Sequence, residues 1–148
     1  MMKNAYASLA LQTLVGGIIM YLVMFVMIDS LGSFYNNLNM LYMTLMMVAP
    51  MVVLMILAMG HMFPSRAMNA ALLIGSIAVF IGCFALIRTQ TTIGDRAFLR
   101  SMIPHHSGAI LMCKKASLTD PQIVRLCGEI KESQRREIDD MKAMLARQ

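Results

Sequence analysis

Two neighbouring histidines, His105 and His106, stand in the C-terminal third of the chain and are the first residues whose type suggests metal chemistry. At about 100° per residue, His106 lies within the apolar stripe of a predicted helix. His105 points about 100° away, on a second line with Phe98 and Met112. The two imidazoles therefore cannot easily bind one ion from one face. We expect one to face the neighbouring helix and the other to face a second subunit or solvent.

A carboxylate, Glu137, interrupts the apolar stripe of the following predicted helix. A carboxylate in such a stripe normally has a polar partner, because an unpaired buried charge is costly. Folding the two helices against each other about residues 118–120 brings Met102, His106, Glu137 and Met141 together. Thioethers with an imidazole suit copper, and a nearby carboxylate can orient the imidazole. A buried His–Glu hydrogen bond that only fixes the helix register explains the same pattern, so both interpretations stay open.

Two predicted helices position these side chains as an antiparallel hairpin. Asp95 is expected to be the N-cap of a helix that runs to about residue 117, with a kink at Pro104. Asp120 followed by a proline predicts the start of a second helix, whose apolar periodicity continues to about residue 145. The short turn between them makes the helices antiparallel. We therefore expect a helical hairpin domain over residues 89–148.

The hairpin is too small to enclose a hydrophobic core of its own. Its apolar stripes are therefore expected to meet a second copy of the chain and to form a four-helix bundle, so the protein is predicted to be a homo-oligomer. The stripe residues that would be covered in this way are Leu99, Ile103, Ile110, Ile123, Leu126 and Ile130.

The first part of the sequence has the composition of a membrane protein. Hydrophobic residues make up 58% of the chain, and Asp29 is the only formal charge between Lys3 and Arg66, so lipid is the natural solvent for this part. From Arg88 onward basic and acidic residues alternate, and no basic cluster with interleaved aromatic residues occurs. Nucleic-acid binding is therefore excluded as the function.

Three apolar runs predict a transmembrane domain over residues 1–88. The runs cover about residues 7–28, 40–60 and 68–87, and each is long enough to cross a hydrocarbon core as a helix. The first run is too long for the core of a signal peptide, so we expect it to be retained. Pro50 lies inside the second run, where a membrane helix tolerates a kink.

Charges beside these runs indicate the orientation. Lys3 precedes the first run, and the loop after that run contains no Lys or Arg, which favours a cytoplasmic N-terminus. Arg88, Arg96 and Arg100 after the third run oppose this orientation, so the balance of charges is nearly even. With the first span dominating, we expect the C-terminal hairpin on the outer side of the membrane.

The cysteines add a second possible site. Cys113 and Cys127 are equally far from the predicted turn, so they are expected to lie next to each other across the hairpin. In an oxidising compartment they could form a disulfide, whereas near copper they could be thiolate ligands. Cys83 lies in the third apolar run, where packing is the ordinary role of a cysteine.

Methionine is unusually frequent, with 18 residues in the chain. Flexible thioethers can fill irregular gaps between membrane helices, and they are also soft ligands for Cu(I). A stripe of methionines across the second span could therefore be a pliable packing seam or a ladder of Cu(I) sites, and three methionines of the first span continue the pattern. The methionines of the two spans are Met40, Met43, Met47, Met51, Met55, Met59 and Met62, followed by Met20, Met24 and Met27.

The hairpin sequence also resembles a known family. The run "MIPHHSGAI" with Met112 after it, and "QRREIDDM" in the second helix, are similar to the domain of unknown function 305 family, over Gly94 to Leu145. That resemblance implies a ferritin-like helical fold and an extracytoplasmic, copper-related role, because exported members include copper-binding proteins. Three spans before the domain look like a membrane-anchored subgroup. The positions that match the family's pattern are Met102, His105, His106, Met112, Glu137 and Met141.

These observations lead to one expected function and two alternatives. We expect a copper-binding protein, with Cu(I) rather than Cu(II), anchored in the plasma membrane of a prokaryote, which buffers, stores or transfers metal in exchange with a donor or acceptor protein. The alternatives are a non-catalytic assembly subunit of a membrane complex and a Cu(I) conduit through the methionine-lined spans. An enzyme is not expected, because the Glu and Glu-x-x-His pairs of a di-iron centre do not occur in the sequence.

Overall fold

The computed structural model describes residues 5–148, and within that range the chain is all-α, without a β-strand, as predicted. Lys3, on which the predicted orientation partly depends, lies outside the described residues. Two short 3-10 turns, Leu31–Ser33 and Gly60–Met62, lie in the connections between helices. The helices of this range are α1 (Ala5–Val23), α2 (Leu38–Ala58), α3 (Arg66–Thr89), α4 (Asp95–Lys115) and α5 (Pro121–Ala146).

Helices α1, α2 and α3 are long and apolar enough to cross a membrane, which confirms the three predicted candidate spans. The first ends at Val23 and not at residue 28, because residues 24–27 form a turn. Phe25 in this turn is buried and stacks against Phe34, with their ring centroids 4.1 Å apart. The apolar residues after Val23 therefore form a turn that is fixed by Phe25, and they do not extend the membrane helix.

Two compact units divide the chain. One consists of the described residues up to Val23 together with Asn39–Thr92, and the other of Met24–Leu38 together with Ile93–Gln148. The connection between α1 and α2 therefore belongs to the unit that contains the hairpin. The sequence analysis divided the chain between residues 88 and 89, and it did not predict that residues 24–38 belong to the same unit as the hairpin.

The membrane unit has a small core. Val48, Val52 and Ile56, spaced four residues apart on α2, are buried against Leu9 of α1 and Phe63. The Tyr6 hydroxyl donates to Asn69 Oδ1 at 2.8 Å and accepts from the Ser65 amide at 3.1 Å, which ties α1 to the start of α3. Most other side chains of the spans point outward, as lipid-facing side chains do.

The hairpin unit has a separate core between α4 and α5. Leu99, Ile103 and Ile110 of α4 are buried against Ile138 and Met141 of α5. The three α4 residues are thus covered within one chain, although the sequence analysis expected a second copy to cover them. On α5 the buried line is centred on Ile138 and Met141, whereas the predicted stripe members Ile123 and Leu126 are exposed.

The helix starts of the hairpin explain its geometry. Asp120 is the N-cap of α5, and its side chain accepts from the amides of Gln122 and Ile123 at 2.7 and 3.3 Å, as the Asp–Pro pair predicts. The predicted N-cap of α4 is wrong by one residue. Gly94 is the N-cap, and Asp95 is the first helical residue, where its negative charge still interacts favourably with the helix dipole.

Candidate functional site

A histidine and a carboxylate meet between α4 and α5. Nδ1 of His106 lies 2.9 Å from Oε2 of Glu137, and the histidine side chain is only 14% exposed. Residues of the same helix hold the carboxylate in place: the Ser133 hydroxyl donates to Oε1 at 2.6 Å, and the Gln134 amide donates to Oε2 at 3.3 Å. The predicted proximity of His106 and Glu137 is therefore present in the structure, and Glu137 is oriented from its own helix.

The contact between the two side chains is close but not a linear hydrogen bond. Nδ1 of His106 is buried and has no well-aligned acceptor, although Glu137 lies at hydrogen-bonding distance. A small rotation of the carboxylate would align the pair, because Glu137 is 45% exposed and can move. With the proton on Nδ1, facing the carboxylate, Nε2 is the ring nitrogen that keeps a free lone pair.

Burial also sets the protonation of this histidine. Desolvation lowers the pKa of His106 below its ordinary value, the negative charge of Glu137 partly opposes this, and His105 lowers the pKa further. The neutral imidazole is therefore favoured near neutral pH. A neutral imidazole is the form that coordinates a metal ion.

The other predicted site residues fall into two groups. Met141 is buried in the hairpin core and Met102 is partly buried against it. Met102 lies one helical turn before His106 on α4, and Met141 lies one turn after Glu137 on α5. His105 and Met112 are exposed on the outer side of α4. The rings of His105 and His106 are 6.1 Å apart and point to different sides of the helix, as the spacing predicted.

Within residues 5–148, no group of three or more His, Cys, Asp or Glu side chains is arranged to hold a metal ion. Zinc and di-iron sites are normally built from such groups. The hairpin also carries the thioethers of Met102 and Met141, each one helical turn from one member of the His106–Glu137 pair, and thioethers are ligands that suit Cu(I).

The two hairpin cysteines form a disulfide. Cys113 and Cys127 are bonded, with their Cα atoms 5.3 Å apart, and the bond joins α4 to α5 near the turn. Of the two roles left open by the sequence, the disulfide is the one present, so these sulfurs are not thiolate ligands here. Cys83 is a free, buried cysteine in α3.

Several methionines of the α2 stripe lie against apolar residues or face outward. Met55, with Met20 of α1, packs against the core of the membrane unit, and the methyl carbon of Met51 lies beside Gly16. Other members of the stripe, such as Met43 and Met47, are exposed. The thioethers of the spans thus serve partly as packing and partly as outward-facing surface.

The sequence analysis missed a group of contacts that holds the connection between α1 and α2 against α4. Asp29, in the connection between α1 and α2, pairs with Lys114 of α4 at 2.5 Å, and its amide donates to the Ser107 hydroxyl at 2.7 Å. A Cβ on Gly108 would lie 3.5 Å from the carbonyl oxygen of Met27. This segment therefore packs on α4 through small residues and one ion pair. The isolated charge of Asp29 in an apolar region was the available signal.

Comparisons with known proteins identify a family from the part of the chain that contains the hairpin. The model of a domain of unknown function, DUF305, matches residues 84–145. An uncharacterised protein of Acanthamoeba polyphaga mimivirus is 39% identical over 120 residues, which cover 79% of this chain and 76% of that protein. An alignment of this length cannot fit within residues 84–148, so it includes part of the preceding apolar helices. No solved structure gives a significant match. The chain belongs to the DUF305 family.

Proposed function

We propose that this protein is a membrane-anchored, copper-binding member of the DUF305 family that buffers, stores or transfers Cu(I) on the outer side of a prokaryotic plasma membrane. The observation that carries this proposal is the contact between His106 and Glu137. It turns one ring nitrogen towards a carboxylate and leaves Nε2 for a metal, with the thioethers of Met102 and Met141 one helical turn away along α4 and α5. Copper is here the cargo of the protein, and the role is binding rather than catalysis.

Each residue of the proposed site has a distinct role. Nε2 of His106 and the sulfurs of Met102 and Met141 would be ligands, because imidazole and thioether are both suited to Cu(I). Glu137 would orient the imidazole and would not bind the metal itself. His105 and Met112 are exposed, so they would act only in a site shared with a second copy or with a donor or acceptor protein.

The experiment is metal analysis of the full chain, purified in mild detergent from cells grown with and without added copper. We expect bound copper in the protein from cells grown with added copper, and no comparable amount of zinc or iron in it. His106→Ala should lose the copper, whereas His61→Ala, which removes a histidine of the membrane unit, should keep it. Copper absent from the wild type, or equally retained by both variants, would reject the hairpin site.

The role of Glu137 is tested separately from that of the ligands. Glu137→Gln should lower Cu(I) affinity less than His106→Ala or Met102→Ala, since it changes only the group that orients the imidazole. His105→Ala should have an effect only if copies share the site. A loss in Glu137→Gln as large as that in His106→Ala would make the carboxylate a ligand and would require a different site.

The location is tested with a reporter fused after Gln148. Three spans that follow a cytoplasmic N-terminus would put the hairpin outside the cytoplasm, where the Cys113–Cys127 disulfide is chemically favoured. We expect activity from a reporter that functions only outside the cytoplasm. Activity from a cytoplasmic reporter would reverse the orientation and move the proposed copper site inside the cell.

A second candidate function is a non-catalytic assembly subunit. Large apolar side chains remain half exposed on the hairpin, among them Phe98, Leu126 and Met144. In this role the His106–Glu137 contact would only fix the register of the helices. A protein without bound metal that still requires His106 and Glu137 for hairpin stability would favour this second function.

A further inference from the structure

The two broad faces of the hairpin differ in what covers them. Residues 24–38 cover one face, which we name the covered face: Asp29 contacts Ser107 and Lys114, and Gly32 lies near the Lys142 ammonium group. The opposite face, the open face, contains Glu137, whose contact with His106 lies where this face meets the seam between α4 and α5. Glu137 and Lys142 are five residues apart, or about 140° around α5, and therefore point to different sides.

The residues of the open face follow a heptad pattern on both helices. Steps of four and three alternate along each helix, which is the spacing of a seam that packs against another helix. Four large apolar members are half exposed, with exposed fractions between 44% and 54%. On α4 the open face consists of Phe98, Met102, His105, Ala109 and Met112, and on α5 of Leu126, Ile130, Ser133, Glu137, Asp140 and Met144.

The charge of this face argues against a lipid surface as its partner. The open face carries Glu137 and Asp140 and no Lys or Arg. Segments that bind anionic membranes are instead rich in Lys and Arg around their apolar residues. An apolar seam with heptad spacing and acidic side chains fits a helical partner better than a bilayer.

The dimensions of the face suit a second copy. Helix α4 has 21 residues, so the face is about 30 Å long, and two helix diameters make it about 20 Å wide. This area of about 600 Å² approaches the ~800 Å² that one partner contributes to an interface of standard size. Anchoring in one membrane also raises the local concentration of copies, which lowers the affinity that such a contact requires.

We propose that the open face is the surface on which a second copy of this chain packs, so that two hairpins form a four-helix layer with the His106–Glu137 pairs at their interface. The covered face is closed to such packing because residues 24–38 occupy it. This inference does not depend on copper. If the proposed function also holds, the second copy closes the open side of each copper site.

Two variants of matched exposure test the proposal. Leu126 and Val124 lie in the same turn of α5 and are 54% and 50% exposed. Val124 precedes Lys142 by five full turns and so lies on the same side of α5 as Lys142, whereas Leu126 precedes Met144 by five turns on the open face. Leu126→Asp should therefore separate the copies, and Val124→Asp should not.

The mass of the full chain in mild detergent is the first measurement. We expect a dimer or a multiple of it for the wild type and for Val124→Asp, and at least a tenfold weaker association for Leu126→Asp. Circular dichroism should give the same helix content for all three, since both positions are at the surface. A monomeric wild type, or equal association of the two variants, overturns the proposal.

If the spans also associate, the mass alone does not report on the open face. Crosslinking in membranes then tests the open face directly. In a Cys83→Ser background, Leu126→Cys should be joined to its copy by a short bis-maleimide, and Val124→Cys should not. Absence of crosslinking at Leu126→Cys, or equal crosslinking at both positions, overturns the proposal. A fluorophore on Leu126→Cys that is quenched by brominated lipid would instead assign the open face to the bilayer.

Discussion

Methionines occur in both units of this protein, and in the hairpin two of them lie one helical turn from a fixed polar pair. On α2 the thioethers of Met51 and Met55 contact Gly16 and the apolar core of the membrane unit. In the hairpin, Met102 lies one helical turn from His106, whose Nδ1 is 2.9 Å from an oriented carboxylate, and Met141 lies one turn from that carboxylate. A soft sulfur can fill space in either setting. It becomes a candidate ligand where other side chains position a second donor.

The largest expected effect is a loss of stability in the hairpin unit that leaves the membrane unit unchanged. Replacing both Cys113 and Cys127 with Ser removes a bond across 14 residues of sequence, and opening a loop of this size costs about 3 kcal/mol. Hydrogen exchange should show faster opening of α4 and α5 without a change in α1–α3. The matched control is Cys83→Ala, which should leave protection of the hairpin unchanged. Equal loss of protection in both units would mean that they unfold as one.

A second variant tests whether residues 24–38 belong to the hairpin. Ser107→Ala leaves the buried Asp29 amide without its acceptor, which costs about 1–3 kcal/mol. We expect faster hydrogen exchange in residues 24–38 and unchanged exchange in α2. Ser101→Ala is the control on the same helix, because the Ser101 hydroxyl donates to the Ala97 carbonyl of its own helix. Similar exchange in the two variants would contradict the role given to Ser107.

The smallest effect concerns the protonation of His106. Because burial lowers the pKa of His106, its contribution to stability is present above the unfolded value of about 6.5 and is lost as the pH falls below it. An NMR titration should give a midpoint below this value. Glu137→Gln should lower the midpoint further, since the carboxylate raises the pKa. A midpoint that rises in Glu137→Gln would show that the two side chains are not coupled as described.

The sequence was sufficient where local rules determine structure. The Asp120–Pro121 pair predicted the start of α5, and helical periodicity predicted that His106 and Glu137 approach each other while His105 points elsewhere. Both results depend on spacing within one helix or across one short turn. Short-range geometry of this kind can be read from a single sequence.

The sequence was insufficient where distant segments meet. Residues 24–28 are apolar enough for a membrane helix, and nothing local shows that Phe25 packs against Phe34 instead. The contacts of Asp29 with Ser107 and Lys114 span more than seventy residues of chain. Ile138 was absent from the predicted stripe but is buried, because it belongs to the side of α5 that packs against α4. Periodicity describes one helix and carries no information about these pairings.

The central claim, that copper binds in the hairpin and not along the spans, is tested most directly by Cu(I) competition titration of two multiple variants of the full chain. One variant carries Met102→Ala and His106→Ala in the hairpin. The other carries Met51→Leu, Met55→Leu and Met59→Leu in α2, which largely preserves volume and hydrophobicity. We predict at least a tenfold loss of affinity, or ~1.4 kcal/mol, in the hairpin variant and no change in the span variant. Unchanged affinity in the hairpin variant with a loss in the span variant would contradict the account and would assign the copper to the methionine stripe of the membrane unit.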